Sequence, residues 1–273
     1  MTSTTGSSRE RVWLDDTDLP SPTPTPPRST KIPQYSLARV IGTWAAAALP
    51  MAALAWLAAP WLAGTLKGPT ALAQALIVTM TIGLMWQCVL VVVLVHHEQG
   101  SLRWPVVKDA LWLRAPRRPD GGRMGWAWLV LLPLLLAFAV TMMLPGLAIP
   151  AGRDMGLFLE SDAGRSFLSG NWTWLAIVVT LGIFNTILGE ELLFRGLLLP
   201  RMNGAFGRWD WAANGVLFAV YHLHMPWVIP SALFNAFLMA YPSKRYRSAF
   251  LGIAVHSAQT VVISVLVLVL VLR

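Results

Sequence analysis

WTWLAIVVTLGIFNTILGEELLFRGLLL, residues 172–199, reads as a membrane-crossing helix with three charges set into it. A hydrocarbon core of ~30 Å needs about 20 mostly apolar helical residues, and this run supplies them. Within it, LGEELLFRGLL (188–198) carries Glu190, Glu191 and Arg195 among leucines and Phe194. A charge at the centre of a spanning helix costs about 2.5–3.5 kcal/mol, so three of them need a reason. Part of the reason is local. Glu191 and Arg195 are four apart with the acid first, the favourable order for a pair on one helix face. Glu190 points about 100° around the helix from Glu191, with Phe194 and Leu197 on its own face and no cation there. An acid left unpaired in an apolar setting is a candidate general base.

Composition places the rest of the chain in the same solvent. Hydrophobic residues make up 56% and charged residues 12%, about half the charged share of a soluble domain. Seven spans are expected, at 40–63, 71–95, 126–147, 172–199, 209–226, 228–241 and 248–272. The sixth is short and follows a turn with Pro226 and Pro230, which suits a partial or tilted crossing. LRWPVVKDALWLR (102–114) mixes Trp with Lys and Arg and suits the membrane interface. Residues 1–35 are Ser-, Thr- and Pro-rich without apolar periodicity and read as a disordered, solvated tail. The tail lacks a secretory signal's apolar core and is expected to be retained. The fold class expected is therefore all-α, a polytopic helix bundle over 36–273.

The basic balance of +8 follows from topology. Of the 21 Lys and Arg residues, 17 fall in the tail, after span two, around the end of span four, and after span six. The alternate side keeps Lys67, Arg153, Arg165 and Arg273. The positive-inside rule then puts the N-terminus in the cytoplasm and the C-terminus outside. It leaves no charge in need of a nucleic-acid partner. Cys88, the single cysteine, has no Cys or His at ligand spacing and reads as a packed or lipid-facing thiol. Tryptophans near span ends, among them Trp61, Trp104, Trp126, Trp128, Trp172 and Trp209, suit an aromatic belt.

Two further spans carry imidazoles at similar depth. Counted at 1.5 Å per residue from the cytoplasmic ends, Glu190, His222 and His256 lie about 15, 20 and 12 Å down. FAVYH places Phe218 one turn from His222, where the ring can hold the imidazole. HSAQT places Thr260 one turn from His256, as a hydroxyl partner. His224, two residues on from His222, is expected to face away from it.

The set EExxxR, FxxxH and Hxxx(polar) resembles the CPBP family, over roughly residues 102–265. That family comprises CAAX prenyl proteases of the Ras-converting-enzyme type and bacteriocin-processing or self-immunity proteins. GEELLFRGLLLPRM is the specific motif of the set. The resemblance implies an intramembrane endopeptidase of a bacterial cell membrane, with a membrane-associated peptide or protein as substrate. It implies Glu190 as the base activating a water, His222 as its partner, and Glu191 with Arg195 as an orienting pair. His256 and the residue four on would stabilise the oxyanion. The family usually has Asn at that last place; this chain has Thr260, and Gln259 or Asn235 could stand in. No cofactor is expected. Glu190, His222 and His256 also form a two-His, one-carboxylate set that zinc accepts, although no HExxH helix is present. A non-proteolytic membrane scaffold or immunity protein on the same fold stays open, as does, more remotely, a transporter relaying protons.

Overall fold

The computed structural model describes residues 1–2, 32–117, 129–141 and 147–273, and these are helical with no strand among them. Most of the 1–35 tail, Trp126, Trp128 and parts of the expected third span lie outside the described residues. Four helices are long and apolar enough to cross a membrane: α1 (Leu37–Thr65), α2 (Ala71–Gln99), Trp172–Arg201 and Ala249–Val271. They coincide with the expected spans at 40–63, 71–95, 172–199 and 248–272. Their number and hydropathy mark an integral membrane protein. Between them lie α3 (Trp104–Ala110), α4 (Leu131–Thr141), α5 (Met155–Glu160) and α6 (Asp162–Leu168). The 172–201 helix is α7, and α8 (Asp210–Tyr221), α9 (Ile229–Arg245) and α10 (Ala249–Val271) complete the bundle.

The ends of these helices follow from local chemistry. Ser36 caps α1 by accepting from the Arg39 amide at 3.3 Å, and Asn171 caps α7 through the Trp174 amide at 3.4 Å. Gly100, at φ 65°, closes α2 with its amide on the His96 carbonyl at 2.8 Å, a turn that favours glycine. Inside α1, the π-helical stretch Leu54–Ala58 lies just before Pro60, which brings no amide to the ladder.

Residues 209–245 depart from two full spans. α8 has 12 residues and α9 has 17, about 18 and 26 Å of helix against a core of ~30 Å. They form an antiparallel hairpin, tied at its base by Lys244 and Asp210 and turned at its tip by short 3-10 segments at His222–His224 and Pro226–Val228. Non-helical backbone at membrane depth needs partners from the protein. Trp56 of α1 supplies one, its indole N–H donating to the Leu223 carbonyl at 2.8 Å.

The expected interfacial stretch 102–114 is only partly at the surface. Leu111, Trp112 and Leu113 are buried, and the backbone that follows meets the start of α10. The Trp112 carbonyl accepts the Ala249 amide at 3.0 Å, and the Arg114 carbonyl accepts from the Ser248 hydroxyl at 2.6 Å.

At the same end of the bundle, Glu98 of α2 collects three partners. Arg39 reaches it at 2.8 Å and Arg201 Nε at 2.9 Å, and the Tyr35 hydroxyl donates to it. Burial, and then this bond, push the Tyr35 phenol up to about 12, so it remains a donor. Arg201 is fully buried and also donates to the carbonyls of Ala110 and Leu197 at 3.0 and 2.9 Å. The segment before α1, the helices α2 and α7 and the end of α3 are thus locked together. Removing one partner of a buried pair leaves a bare charge, at about 3–5 kcal/mol. Glu98→Ala is therefore expected to lower the thermal midpoint of the detergent-solubilised protein strongly. Arg39→Ala, whose side chain is 42% exposed, is expected to cost under about 1 kcal/mol in the same measurement.

Candidate active site

Glu190 and Glu191 sit between two π-helical stretches of α7, Phe184–Gly189 and Leu192–Leu198. Such widened turns are rare and recur at functional sites. Both acids and Arg195 are buried. Glu191 Oε1 lies 3.1 Å from Arg195 Nη1 and also 3.1 Å from Nδ1 of His256 on α10. One carboxylate oxygen therefore meets a guanidinium of its own helix and an imidazole of the next. Arg195 also donates to the Ala236 carbonyl of α9 at 3.3 Å and lies 4.1 Å over the Phe218 ring of α8. Gly252 makes room for this cluster: a Cβ there would stand 2.4 Å from Glu191 Oε2 and 3.1 Å from Arg195 Cγ.

His222 occupies the C-cap of α8. Its Nδ1 is 2.9 Å from the Phe218 carbonyl, an acceptor, so Nδ1 carries the proton and Nε2 keeps its lone pair. The Phe218 ring packs edge-on against it at 5.0 Å. His224 does not face away: its ring stacks on His222 at 5.4 Å and 25°, because residues 222–224 leave the α-helical path.

Glu190, His222 and His256 line one cavity of about 120 Å³, room for several waters. Asn185, Asn235 and Gln259 add amides to the same wall. Thr260 is not among its lining residues. Its hydroxyl lies 3.3 Å from that of Thr186 and 3.5 Å from the Gly182 carbonyl, and its methyl fills the notch where a Gly182 Cβ would stand, 2.4 Å away. Thr260 lines a larger, mostly apolar chamber of about 380 Å³, which shares Asn185, Met225, Val228 and Gln259 with the first. Among the described residues no group of three or more His, Cys, Asp or Glu side chains is placed to hold a metal ion.

Two residues enter the site's surroundings without having been singled out in the sequence. Tyr221, fully buried, has its hydroxyl 2.5 Å from Nε2 of Gln87 on α2, and its ring packs on that of His222 at 5.2 Å. The signal was there in LMWQCVLVVV (84–93), where one amide interrupts an apolar run.

Residues 171–262 match the family model described as type II CAAX prenyl endopeptidase, Rce1-like. The matched segment, about a third of the chain, contains α7 through His256 and all the residues that line the small cavity except Phe138. This is a protease family, the one that the three motifs resemble. No curated protein and no solved structure matches the chain.

The Gly252 notch makes a direct test of the cluster. Gly252→Ala drives a methyl into Glu191 and is expected to lower stability by about 1–3 kcal/mol, as core overpacking does. Gly64→Ala, at a position with nothing within 4 Å, is expected to leave the thermal midpoint unchanged.

Proposed function

We propose that the chain is an intramembrane endopeptidase of the glutamate type, which hydrolyses a peptide bond of a membrane-associated peptide or protein. The observation that carries this reading is the shared cavity of Glu190, His222 and His256, deep in a membrane bundle. Glu190 takes a proton from a water held between its carboxylate and His222 Nε2. The water oxygen bonds to the scissile carbonyl carbon, and the proton passes on to the amide nitrogen as the C–N bond breaks. His256, whose Nδ1 lies 3.1 Å from Glu191 Oε1, stabilises the oxyanion from the cavity wall. Thr260 was the expected second donor, but its hydroxyl turns to Thr186 and Gly182. Gln259, on the wall of the cavity, takes that role. No metal is needed for these steps; a zinc-dependent version, with Glu190, His222 and His256 as ligands, predicts cleavage that chelators abolish.

The topology that goes with this reading is a bundle of seven inserted helices in a bacterial cell membrane. The 17-to-4 split of Lys and Arg supports an N-terminus in the cytoplasm and a C-terminus outside. The α8–α9 hairpin supplies two of the seven helices, and it carries His222 to the level of the acids. A scaffold or self-immunity role on the same fold rests on Thr260 standing where the family pattern has Asn.

The test is cleavage of membrane-tethered reporter peptides by the purified chain in liposomes. Glu190→Gln is expected to lower kcat by about 10²–10⁴, the usual worth of a general base. Gln259→Ala is expected to cost about 10²–10³, the worth of one oxyanion donor, while Thr260→Val keeps most of the rate. Equal cleavage by wild type and Glu190→Gln would sink the assignment. A cellular phenotype that survives Glu190→Ala would favour the scaffold.

A further inference from the structure

α7 is packed differently on the two sides of Glu190. From Leu193 to Met202, toward the arginine-rich end, every residue is buried. From Trp172 to Ile183 none is. A helix in a bundle buries the stripe that faces its neighbours, so an inward stripe left uncovered borders a space. That space is the larger chamber of about 380 Å³, within the ~300–1,000 Å³ of ligand sites. It reaches from Val178 to Asn185 on α7, from Gln259 to Ser264 on α10 and from Leu76 to Leu84 on α2. On α7 and α10 it therefore lies on the side of Glu190 and His256 that points away from the arginines. Asn185, Met225, Val228 and Gln259 belong to both walls, so the chamber adjoins the small cavity.

The far end of the chamber is a built edge. Ile149 and Met155 border it and are 39% and 36% exposed, which makes this end a mouth. Arg153, between them, fastens the segment to α1. In the π-helical stretch Leu54–Ala58 a carbonyl meets the amide five residues on, and for Ala55 that residue is Pro60, which has none. Both terminal nitrogens of Arg153 lie 3.2 Å from the Ala55 carbonyl instead, with the guanidinium 4.0 Å over the Trp56 ring. At the inner end stand the amides of Asn185 and Gln259. A side-chain amide offers both a donor and an acceptor, which is what a peptide backbone needs on leaving water.

We infer that the peptide substrate reaches Glu190 through this chamber, from the end of the bundle opposite the arginines. Its apolar side chains lie in the chamber, and the Asn185 amide meets its backbone beside Gln259. On the proposed topology that end is the outer face, so the substrates are exported, membrane-associated chains. The inference rests on the reading of Glu190, His222 and His256 as the site, and adds the side from which the site is reached.

Met80 lines the chamber and lies outside the catalytic set, so Met80→Trp fills the path. For a membrane-tethered reporter peptide with an apolar stretch, KM is expected to rise about 10- to 200-fold, the range over which an apolar pocket discriminates, with kcat little changed. A second measurement reads occupancy without turnover. In a Cys88→Ser, Glu190→Gln background, Met155→Cys puts a thiol at the mouth and Arg245→Cys puts one at the arginine-rich end. With the reporter at about ten times its Kd, maleimide labelling of Met155→Cys is expected to slow about tenfold, and labelling of Arg245→Cys to stay unchanged. In sealed right-side-out vesicles an impermeant maleimide is expected to reach Met155→Cys alone. A wild-type KM in a folded Met80→Trp chain, or protection of Arg245→Cys in place of Met155→Cys, would overturn the inference. If Met80→Trp does not fold, the labelling decides by itself. Labelling of Met155→Cys only in inverted vesicles would overturn the outer face. If Glu190→Gln cleaves at the wild-type rate, the base assignment fails, while protection at Met155→Cys still reports the way in, so the two failures are told apart.

Discussion

A carboxylate cannot stay ionised in a dry helix bundle without opposite charge and donors around it, and Glu191 is where this chain meets that demand. Its Oε1 is shared by Arg195 and His256 at 3.1 Å each. Arg195 in turn reaches the Ala236 carbonyl and the Phe218 face, so one acid ties α7 to α8, α9 and α10. Neutralised this way, the pair serves assembly. Its second effect is to leave Glu190, the next residue, without an ion pair among the described residues and on the wall of the cavity. Two adjacent acids thus acquire different environments from a single residue of offset.

Close helix approach is the other half of the construction. With lipid as solvent there is little hydrophobic drive between helices, and contact depends on small residues and polar links. Gly189 lets α2 lie against α7, and Gly252 lets α10 close over the Glu191–Arg195 pair. Far from these, the Glu98–Arg201 pair fixes the α2 and α7 ends in the same parallel register. The site is therefore held from two levels, the middle of the bundle and its arginine-rich end. The carboxylate and imidazoles are presented by helices, apart from His222 on a turn that Phe218 and Trp56 secure.

Much of this was legible in the residues themselves. Hydropathy located α1, α2, α7 and α10, because length and apolarity are what crossing a membrane requires. The spacing of Glu191 and Arg195 announced a contact within one helix. Contacts between helices were less accessible. Arg201 counted only as a loop charge, since nothing local connects it with Glu98. Thr260 was placed beside His256 by helical periodicity alone, which says nothing of the Gly182 notch that captures its methyl. His224 was expected to face away on the assumption of a regular helix, which ends at Tyr221. At 209–241 apolar length was visible in the sequence, while the early end of α8 at Tyr221 was not.

The central claim is that Glu190 passes a water, rather than its own oxygen, onto the peptide carbonyl. The most direct measurement is a single turnover in ¹⁸O-water on a membrane-tethered peptide, followed by mass spectrometry of both product and protein. The account predicts one ¹⁸O in the new C-terminal carboxylate and none in Glu190. Label in Glu190 with an unlabelled product would show attack by the carboxylate itself and contradict it.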